Sequence, residues 1–329
     1  MFRLKVAINA QYMLMYTYEH MYTFIRKQRL LIIVLSIGIV IASLILVKRN
    51  ASFITHFIST KINQTQQSDE TMTQIPDSIK KATYSYGTHE LEALDVYATE
   101  GIKDAPIIVM VHGGAWFIGD KSNENIWKNK VAFWGPKGYI FVSVNYPMMY
   151  EGYKPDVQAD AVAKALTYIQ ENARSWGGDP EKIVAMGHSA GAHLVALVSV
   201  TRTDTYPDLK PWSGTVLLDS AAYSLKTMME SNPEDFYIKA FGNDPTYWTK
   251  TSPNERLKTK VEPLYIVCSS NRASSDCEQA DVFKTKAIGL GGTVTLRAEA
   301  LSHEEINTTL GLPSEYTNAV AVFIEKVIQ

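Results

Sequence analysis

The chain has 329 residues, of which 46% are hydrophobic and 20% charged, and its formal net charge is −2. This composition is that of a globular protein and excludes a disordered or fibrous chain. A mildly acidic body lacks the clustered lysine and arginine that nucleic-acid binding requires, so we expect no nucleic-acid partner. The two cysteines and the scattered histidines have no spacing typical of a metal site, and we expect neither a metal nor a cofactor.

The N-terminal part of the chain contains an uninterrupted apolar run. Its eighteen residues, 30–47, carry no charge, and a membrane-spanning helix needs roughly 17–25 apolar residues. We therefore predict an N-terminal transmembrane helix that serves as a signal anchor. The chain then divides into a cytoplasmic segment, the anchor, a polar linker and a catalytic domain: 1–29, 30–47, 48–78 and 79–329.

A cleaved signal peptide, which would leave a secreted or periplasmic protein, is the alternative to an anchor. Lys48 and Arg49 directly follow the apolar run, and no clear cleavage site is present. Arg26, Lys27 and Arg29 lie just before the run, and cytoplasmic flanks carry an excess of lysine and arginine. The bias predicts a single-pass membrane protein with its catalytic domain on the non-cytoplasmic side.

Apolar runs typical of buried strands alternate with segments of helical spacing from residue 82 onward. Regular alternation of this kind indicates an α/β fold with a mostly parallel sheet and helices on both faces. The predicted strands are 82–86, 91–97, 107–111, 139–144, 183–186, 215–218, 264–268 and 294–298, and the predicted helices are 157–174, 192–200, 277–288 and 314–328.

The first motif of the catalytic domain is HGGAW, at residues 112–116, directly after a predicted strand. Glycines let the backbone approach a substrate closely and direct N–H groups at it. An oxyanion hole needs such donors. We predict that Gly113 and Gly114 form part of an oxyanion hole, with an ordinary turn as the alternative.

The second motif, GHSAG at residues 187–191, matches the nucleophile elbow G-x-S-x-G. A predicted strand precedes it and a predicted helix follows, and the small residues Gly187 and Gly191 permit the sharp turn that such an elbow requires. We predict Ser189 as the nucleophile and the N–H group of Ala190 as a third oxyanion donor. The alternative is a glycine-rich turn between a strand and a helix.

A serine hydroxyl is a weak nucleophile, so it needs a base and an acid that orients the base. With this kind of elbow the chain order is serine, acid, histidine. His303 is the only histidine beyond the helix that follows Ser189, and we predict that it is the base, in a loop after the last strand. For the acid we favour Asp276, after the strand at 264–268, over Asp219, after the strand at 215–218.

Four segments, HGGAW, GHSAG, NRASSDCEQA and LSHEEIN, in this order, resemble the esterase branch of the α/β-hydrolases. That branch includes bacterial carboxylesterases, hormone-sensitive-lipase-like enzymes, feruloyl esterases and kynurenine formamidases. The resemblance covers residues 82–329 and implies an eight-stranded, mostly parallel sheet. It implies the triad Ser189, Asp276 and His303 and the oxyanion donors Gly113, Gly114 and Ala190.

The sequence departs from the pattern of this branch at two places, one that indicates the subgroup and one that concerns the substrate pocket. HGGAW resembles the HGGxW subgroup, not the HGGG of hormone-sensitive-lipase relatives. Tyr146-Pro147 stands where many members carry Tyr-Arg. An aromatic pocket would suit an acyl or aryl group, and we take as candidate substrate-binding residues Trp116, Tyr146 and Tyr223. Packing in the core is the alternative for each of them.

We expect a serine hydrolase that cleaves carboxylic esters of small molecules through an acyl-enzyme on Ser189. One alternative is an amide-bond hydrolase of the formamidase type with the same triad. The other is a catalytically inactive hydrolase fold used for binding.

The two cysteines flank the predicted acid loop. Cys268 ends the strand before that loop, and Cys277 directly follows Asp276. A disulfide would close the loop and fix its carboxylate, and it is chemically allowed outside the cytoplasm. It requires Cα atoms within about 7 Å of each other. The alternative is a free, buried Cys268 and a free Cys277 at a helix start.

Overall fold

One eight-stranded sheet organises the part of the chain that the computed structural model describes, residues 74–231, 233–272 and 276–329, without the side chain of Asp276. These residues belong to one compact unit, 72–329. The predicted segments 1–29 and 30–47, and the linker up to residue 73, lie outside the described residues. Among the described residues, no helix combines the length and apolar character that crossing a membrane requires.

The strand order in the sheet is β1-β2-β4-β3-β5-β6-β7-β8. β2 runs antiparallel to both of its neighbours, and the remaining pairs are parallel. The predicted eight-stranded, mostly parallel sheet is therefore confirmed. The strands are β1 Ile79–Ser85, β2 Ala93–Thr99, β3 Ala105–Val111, β4 Ile140–Val144, β5 Gly178–His188, β6 Gly214–Leu218, β7 Leu264–Ser269 and β8 Val294–Glu299.

Helices connect the strands, and the long ones follow the predicted pattern. The helices are α1 Glu124–Trp134, α2 Pro155–Asn172, α3 Ala190–Thr205, α4 Leu225–Glu230, α5 Asp235–Phe241, α6 Pro245–Thr251, α7 Pro253–Arg256, α8 Asp276–Gly289, α9 His303–Thr308 and α10 Glu315–Val327. Sequence periodicity missed α4 to α7 and α9, because helices of four to seven residues show too few turns. It missed α1 because Asn129 and Lys130 interrupt the apolar residues on its buried face.

Successive side chains of a strand point to opposite faces of a sheet, and β3 shows how both faces are covered. Ile107 and Val109 belong to a buried cluster that includes residues of α2, α3 and α8. The alternate residues of the strand, Ile108 and Met110, belong to a second cluster with residues of α1 and α10. All four side chains are fully buried, so the sheet is a central layer with helices on both faces, as predicted.

The carboxyl ends of parallel strands meet at one edge of the sheet, where α/β proteins bind ligands. HGGAW follows β3, Ser189 follows β5 and Asp219 follows β6. His303 lies four residues beyond β8. The fold therefore brings the sequence motifs to a single edge of the molecule.

The structure contains a disulfide between Cys268, in β7, and Cys277, in α8, with Cα atoms 5.3 Å apart. Since the described residues hold no free cysteine, the thiol alternative is not what the structure shows. The bond links the carboxyl end of β7 directly to the first turn of α8.

Replacing both Cys268 and Cys277 with alanine should lower the free energy of unfolding by about 2–3 kcal/mol, because the bond restricts the unfolded chain. Urea unfolding of the variant and the oxidised wild type measures the difference. Reduced wild type should unfold like the variant. Titration of two thiols in denatured, unreduced wild type would contradict the disulfide.

Candidate active site

Ser189 lies in a sharp turn between β5 and α3, with φ 55° and ψ −119°. Positive φ is uncommon for any residue other than glycine, so the turn stores strain that its surroundings must hold. A Cβ atom on Gly187 would lie 2.4 Å from the carbonyl oxygen of Gly191, and one on Gly191 would lie 2.2 Å from that of Val111. Both glycines are therefore needed for the predicted elbow geometry.

His303 lies next to the hydroxyl of Ser189. Its Nε2 is 2.9 Å from Ser189 Oγ, within hydrogen-bond distance. We predicted a loop position for His303, but the structure makes it the first residue of α9. The short helix carries the imidazole over the elbow.

His188, the residue before Ser189, also contacts His303. Its Nε2 donates to the main-chain carbonyl of His303 at 2.9 Å, and the two rings lie 4.6 Å apart between centroids. Burial, followed by the proximity of His303, lowers the pKa of His188 to about 3. His188 is therefore neutral at physiological pH and keeps one N–H group for this bond.

Asp219, at the end of β6, lies against the other nitrogen of His303. Its Oδ2 is 2.5 Å from His303 Nδ1, and its Oδ1 accepts from the backbone N–H of Ser269 at 2.8 Å. The side chain is fully buried. The backbone of Asp219 has φ 50°, a turn that directs the carboxylate across the sheet edge.

This contact corrects the preference for Asp276 as the acid in favour of the alternative, Asp219. Asp276 is the first residue of α8, and its side chain lies outside the described residues. β6 and β7 are parallel neighbours, so both strands deliver their following loops to the same edge. Which loop faces His303 depends on the turn at Asp219, and a positive φ at that residue is not readable from the sequence.

Arg272, in the loop after β7, is a site residue that sequence reasoning missed. Its Nη1 donates to Asp219 Oδ2 at 3.1 Å and lies 3.2 Å from His303 Nδ1. Burial alone would raise the pKa of Asp219. The hydrogen bonds from His303 and Ser269 and the charge of Arg272 outweigh burial and lower that pKa. Asp219 is therefore ionised at neutral pH.

Two of the predicted oxyanion donors are neighbours of Ser189, Gly113 in space and Ala190 in the chain. A Cβ atom on Gly113 would lie 2.9 Å from Ser189 Cβ and 3.0 Å from the carbonyl oxygen of His188. The backbone of Gly113 therefore lies directly against the elbow. Gly114 has φ 118°, and Ala190 is the first residue of α3, where a helix N–H has no partner within the helix.

A cavity of about 750 Å³ opens over these groups. Its walls are the HGGAW loop and its continuation, the three residues Ser189, Asp219 and His303, and the short helix α5. Aromatic and charged side chains both contribute to the lining. The aromatic lining residues are Trp116, Phe117, Phe236 and Tyr237, and the charged ones include Glu234, Lys239, Arg272 and Glu304.

Of the three candidate substrate-binding residues, Trp116 lines the cavity. Its Nε1 donates to His193 Nδ1 at 3.2 Å, and its ring meets Phe241 edge to face, 4.8 Å between centroids. Burial lowers the pKa of His193 to about 4, so this histidine is neutral and can accept. Trp116 thus connects the HGGAW loop to α3, the helix that follows Ser189.

Tyr146 and Tyr223 do not line the cavity, which corrects their prediction as substrate-binding residues. Tyr146 is fully buried, stacks on His112 with centroids 4.6 Å apart and donates its hydroxyl to the His112 carbonyl. Tyr223 is fully buried and stacks on Phe283, 5.0 Å away. Both follow strands that end at the edge of the sheet where Ser189 lies, but both rings belong to the buried cluster beneath α2, α3 and α8.

Comparison with known families gives one match that spans more than half of the chain, a model of the BD-FAE family over residues 94–286. The esterase LipQ of Mycobacterium tuberculosis is 26% identical over 211 residues, 59% of this chain and 48% of that protein. A kynurenine formamidase of Salmo salar is 27% identical over 194 residues, 59% of this chain and 58% of that protein. The chain spans about half the length of these curated relatives.

Solved structures resemble the fold over most of the described chain. Inhibited esterase B from Lactobacillus rhamnosis has a TM-score of 0.65 at 16% identity, covering 83% of this chain and 96% of that one. Esterase 2 of Thermogutta terrifontis phosphonylated by sarin has a TM-score of 0.64 at 17% identity, covering 77% and 97%. At these identities the likeness shows the α/β-hydrolase fold. The family match adds that the chain belongs to the BD-FAE family, within the esterase branch of the α/β-hydrolases that its motifs resemble.

Proposed function

We propose that this protein is a serine hydrolase that cleaves carboxylic esters of small molecules, with Ser189, His303 and Asp219 as its triad. One observation carries the proposal: Ser189 Oγ lies 2.9 Å from His303 Nε2, and His303 Nδ1 lies 2.5 Å from a buried carboxylate oxygen of Asp219. Relatives named as esterases support the same reaction class. The uninterrupted contact argues against an inactive hydrolase fold used only for binding.

The first half of the reaction forms the acyl-enzyme. Ser189 Oγ attacks the carbonyl carbon of the ester while His303 Nε2 takes the hydroxyl proton. Asp219 accepts a hydrogen bond from the Nδ1–H group of His303 and stabilises the imidazolium that results. When the tetrahedral intermediate collapses, the C–O bond to the alcohol breaks, and the leaving alcohol takes the proton from His303.

The second half hydrolyses the acyl-enzyme and restores the hydroxyl. Water attacks the acyl carbon as His303 again takes a proton, and the acid leaves when that proton returns to Ser189. Negative charge develops on the former carbonyl oxygen in both halves, and prepositioned N–H groups stabilise it. The three donors we assign are those of Gly113, Gly114 and Ala190.

An amide-bond hydrolase of the formamidase type remains the second candidate, because a kynurenine formamidase is among the relatives. The triad would act in the same way, with an amine as the leaving group instead of an alcohol. A panel of acyl esters, aryl esters and formamides separates the two, since the favoured leaving group shows in kcat/KM.

Membrane anchoring by residues 30–47, with the catalytic domain on the non-cytoplasmic side, is also part of the proposal. It is supported by the uncharged run and by the lysine and arginine residues before it. A disulfide persists in oxidising compartments and is rare in the cytosol, so the bond between Cys268 and Cys277 agrees with this side of the membrane.

Ser189→Ala should reduce kcat by at least about 10⁴-fold, because it removes the nucleophile, while the remaining site still binds substrate. Ester hydrolysis and labelling by a fluorophosphonate probe measure the effect, and a thermal melt checks folding. Persistent labelling or substantial turnover in the folded variant would exclude Ser189 as the nucleophile.

Asp219→Asn should lower kcat by about 10⁴-fold, since an amide cannot hold the imidazole in the required tautomer. The matched change Asp276→Asn should leave kcat within about fivefold of wild type, because we assign it no part in orienting His303. Steady-state kinetics of the two variants decide between the carboxylates. An inactive Asp276→Asn beside an active Asp219→Asn would return the acid to the loop after β7.

Removal of residues 1–73 should release an active enzyme from the membrane fraction. The cut retains Ile75, which packs against the buried cluster beneath α1 and α10. Full-length protein should sediment with membranes, and external protease should digest its catalytic domain in intact cells. Protection from that protease would refute the orientation, and a folded but inactive truncation would refute the independence of the catalytic domain.

A further inference from the structure

Lys130, on α1, is a buried basic residue outside the triad. The residue is 1% exposed, and its Nζ donates to the main-chain carbonyl and the side-chain Oδ1 of Asn307, at 2.7 and 2.9 Å. No carboxylate among the described residues pairs with it, and burial lowers its pKa to about 7. Burying an ammonium group without a counter-charge costs free energy, so its presence calls for a role other than stability.

The contacts of Lys130 lie at the end of α9, the six-residue helix that begins with His303. The last carbonyl groups of a helix have no partner within it, and in α9 donors from outside the helix supply them. Tyr316 Oη donates to the carbonyl of Ile306, Lys130 to that of Asn307 and Asn129 Nδ2 to that of Thr308, each at 2.7 Å. Two of these three donors are neighbours on α1.

The other end of α9 is fixed as well. Ser302 Oγ accepts from the N–H of Glu305, and Glu305 Oε2 accepts from the N–H of Ser302, at 3.3 and 2.8 Å. The side chain of His188 donates a hydrogen bond to the main-chain carbonyl of His303, the first residue of α9. A helix of this length is not stable alone, so the place of His303 depends on these contacts.

We propose that Lys130 is a positioning residue of the triad: through Asn307 it holds α9 in the position that sets His303 Nε2 against Ser189 Oγ. This inference rests on the proposed hydrolase function. Lys130 is not among the cavity-lining residues, whereas Asn307 and His303 are, so Lys130 acts through the helix and does not touch substrate. A displacement of about 1 Å at a reacting group can cost about 10²-fold in rate.

A lysine suits this place for two reasons. Its ammonium group has three donors and here serves two acceptors on one residue. A cation is also favourable at a helix C-terminus, where the carbonyl ends concentrate negative charge. An apolar side chain of similar volume often equals or exceeds a buried ion in stability. The proposal therefore predicts that activity and stability respond differently when Lys130 is replaced.

The test is Lys130→Met in the full chain. We expect kcat to fall by about 10- to 100-fold, KM to change by less than about threefold and the thermal midpoint to stay the same or rise. The second-order rate of fluorophosphonate labelling of Ser189 should fall by the same factor as kcat. Lys130→Gln, which keeps an uncharged donor, should recover part of both rates.

Lys128→Met is the matched control on the same helix. Lys128 is partly exposed and pairs with Glu124 one turn away, so its loss should leave kcat and labelling within about twofold of wild type, as for other exposed pairs. Loss of activity in Lys128→Met equal to that in Lys130→Met would make the effect a general one of α1 and overturn the proposal.

Three results with Lys130 itself would overturn the inference: an unchanged kcat in Lys130→Met, a change confined to KM, or failure of both Lys130 variants to fold. Wild-type behaviour separates this inference from the function on which it rests. If wild type neither hydrolyses esters nor labels at Ser189, the proposed function fails. If wild type does both and Lys130→Met does so equally well, only the role of Lys130 fails.

Discussion

The structure of the site depends on one imidazole that must meet two partners at once. His303 Nε2 lies 2.9 Å from a hydroxyl 114 residues earlier in the chain, and its Nδ1 lies 2.5 Å from a carboxylate 84 residues earlier. No local structure spans such separations. The parallel sheet does so by ending β5, β6 and β8 at one edge, and α9 then spans the remaining gap. A shift in the position of any of these elements would break one of the two contacts of His303.

Strain concentrates around this imidazole. Among the described residues, five other than glycine have positive φ, and Ala115, Trp116, Ser189 and Asp219 are four of them. Such conformations persist only where surrounding structure over-determines them. Two hydrogen bonds hold Trp116. The side chain of Gln158 donates to its main-chain carbonyl, and its own indole N–H donates to His193. The HGGAW loop is therefore held both by α2 and by α3, the helix that follows Ser189.

Two basic side chains play different parts on the two sides of His303. Arg272 lies at the cavity and pairs with the carboxylate that orients His303. Lys130 lies in the interior and pairs with carbonyl oxygen at the far end of α9. Arg272 acts on the charge of Asp219 and Lys130 on the position of α9, so the two basic side chains affect one histidine without competing for the same acceptor.

The amino-acid sequence by itself determined the alternation of strands and helices, and it predicted the sharp turn at Ser189, the glycine loop after β3 and the histidine that contacts Ser189. Each of these depends on neighbouring residues: glycines where a Cβ atom would clash, apolar runs where both strand faces are buried, and the one histidine late in the chain. The tertiary structure placed Asp219 against His303, buried Tyr146 and Tyr223 and brought Lys130 to α9. Those outcomes depend on how a turn leaves its strand and on what packs above it. Residues distant in the chain set both, so no local pattern records them.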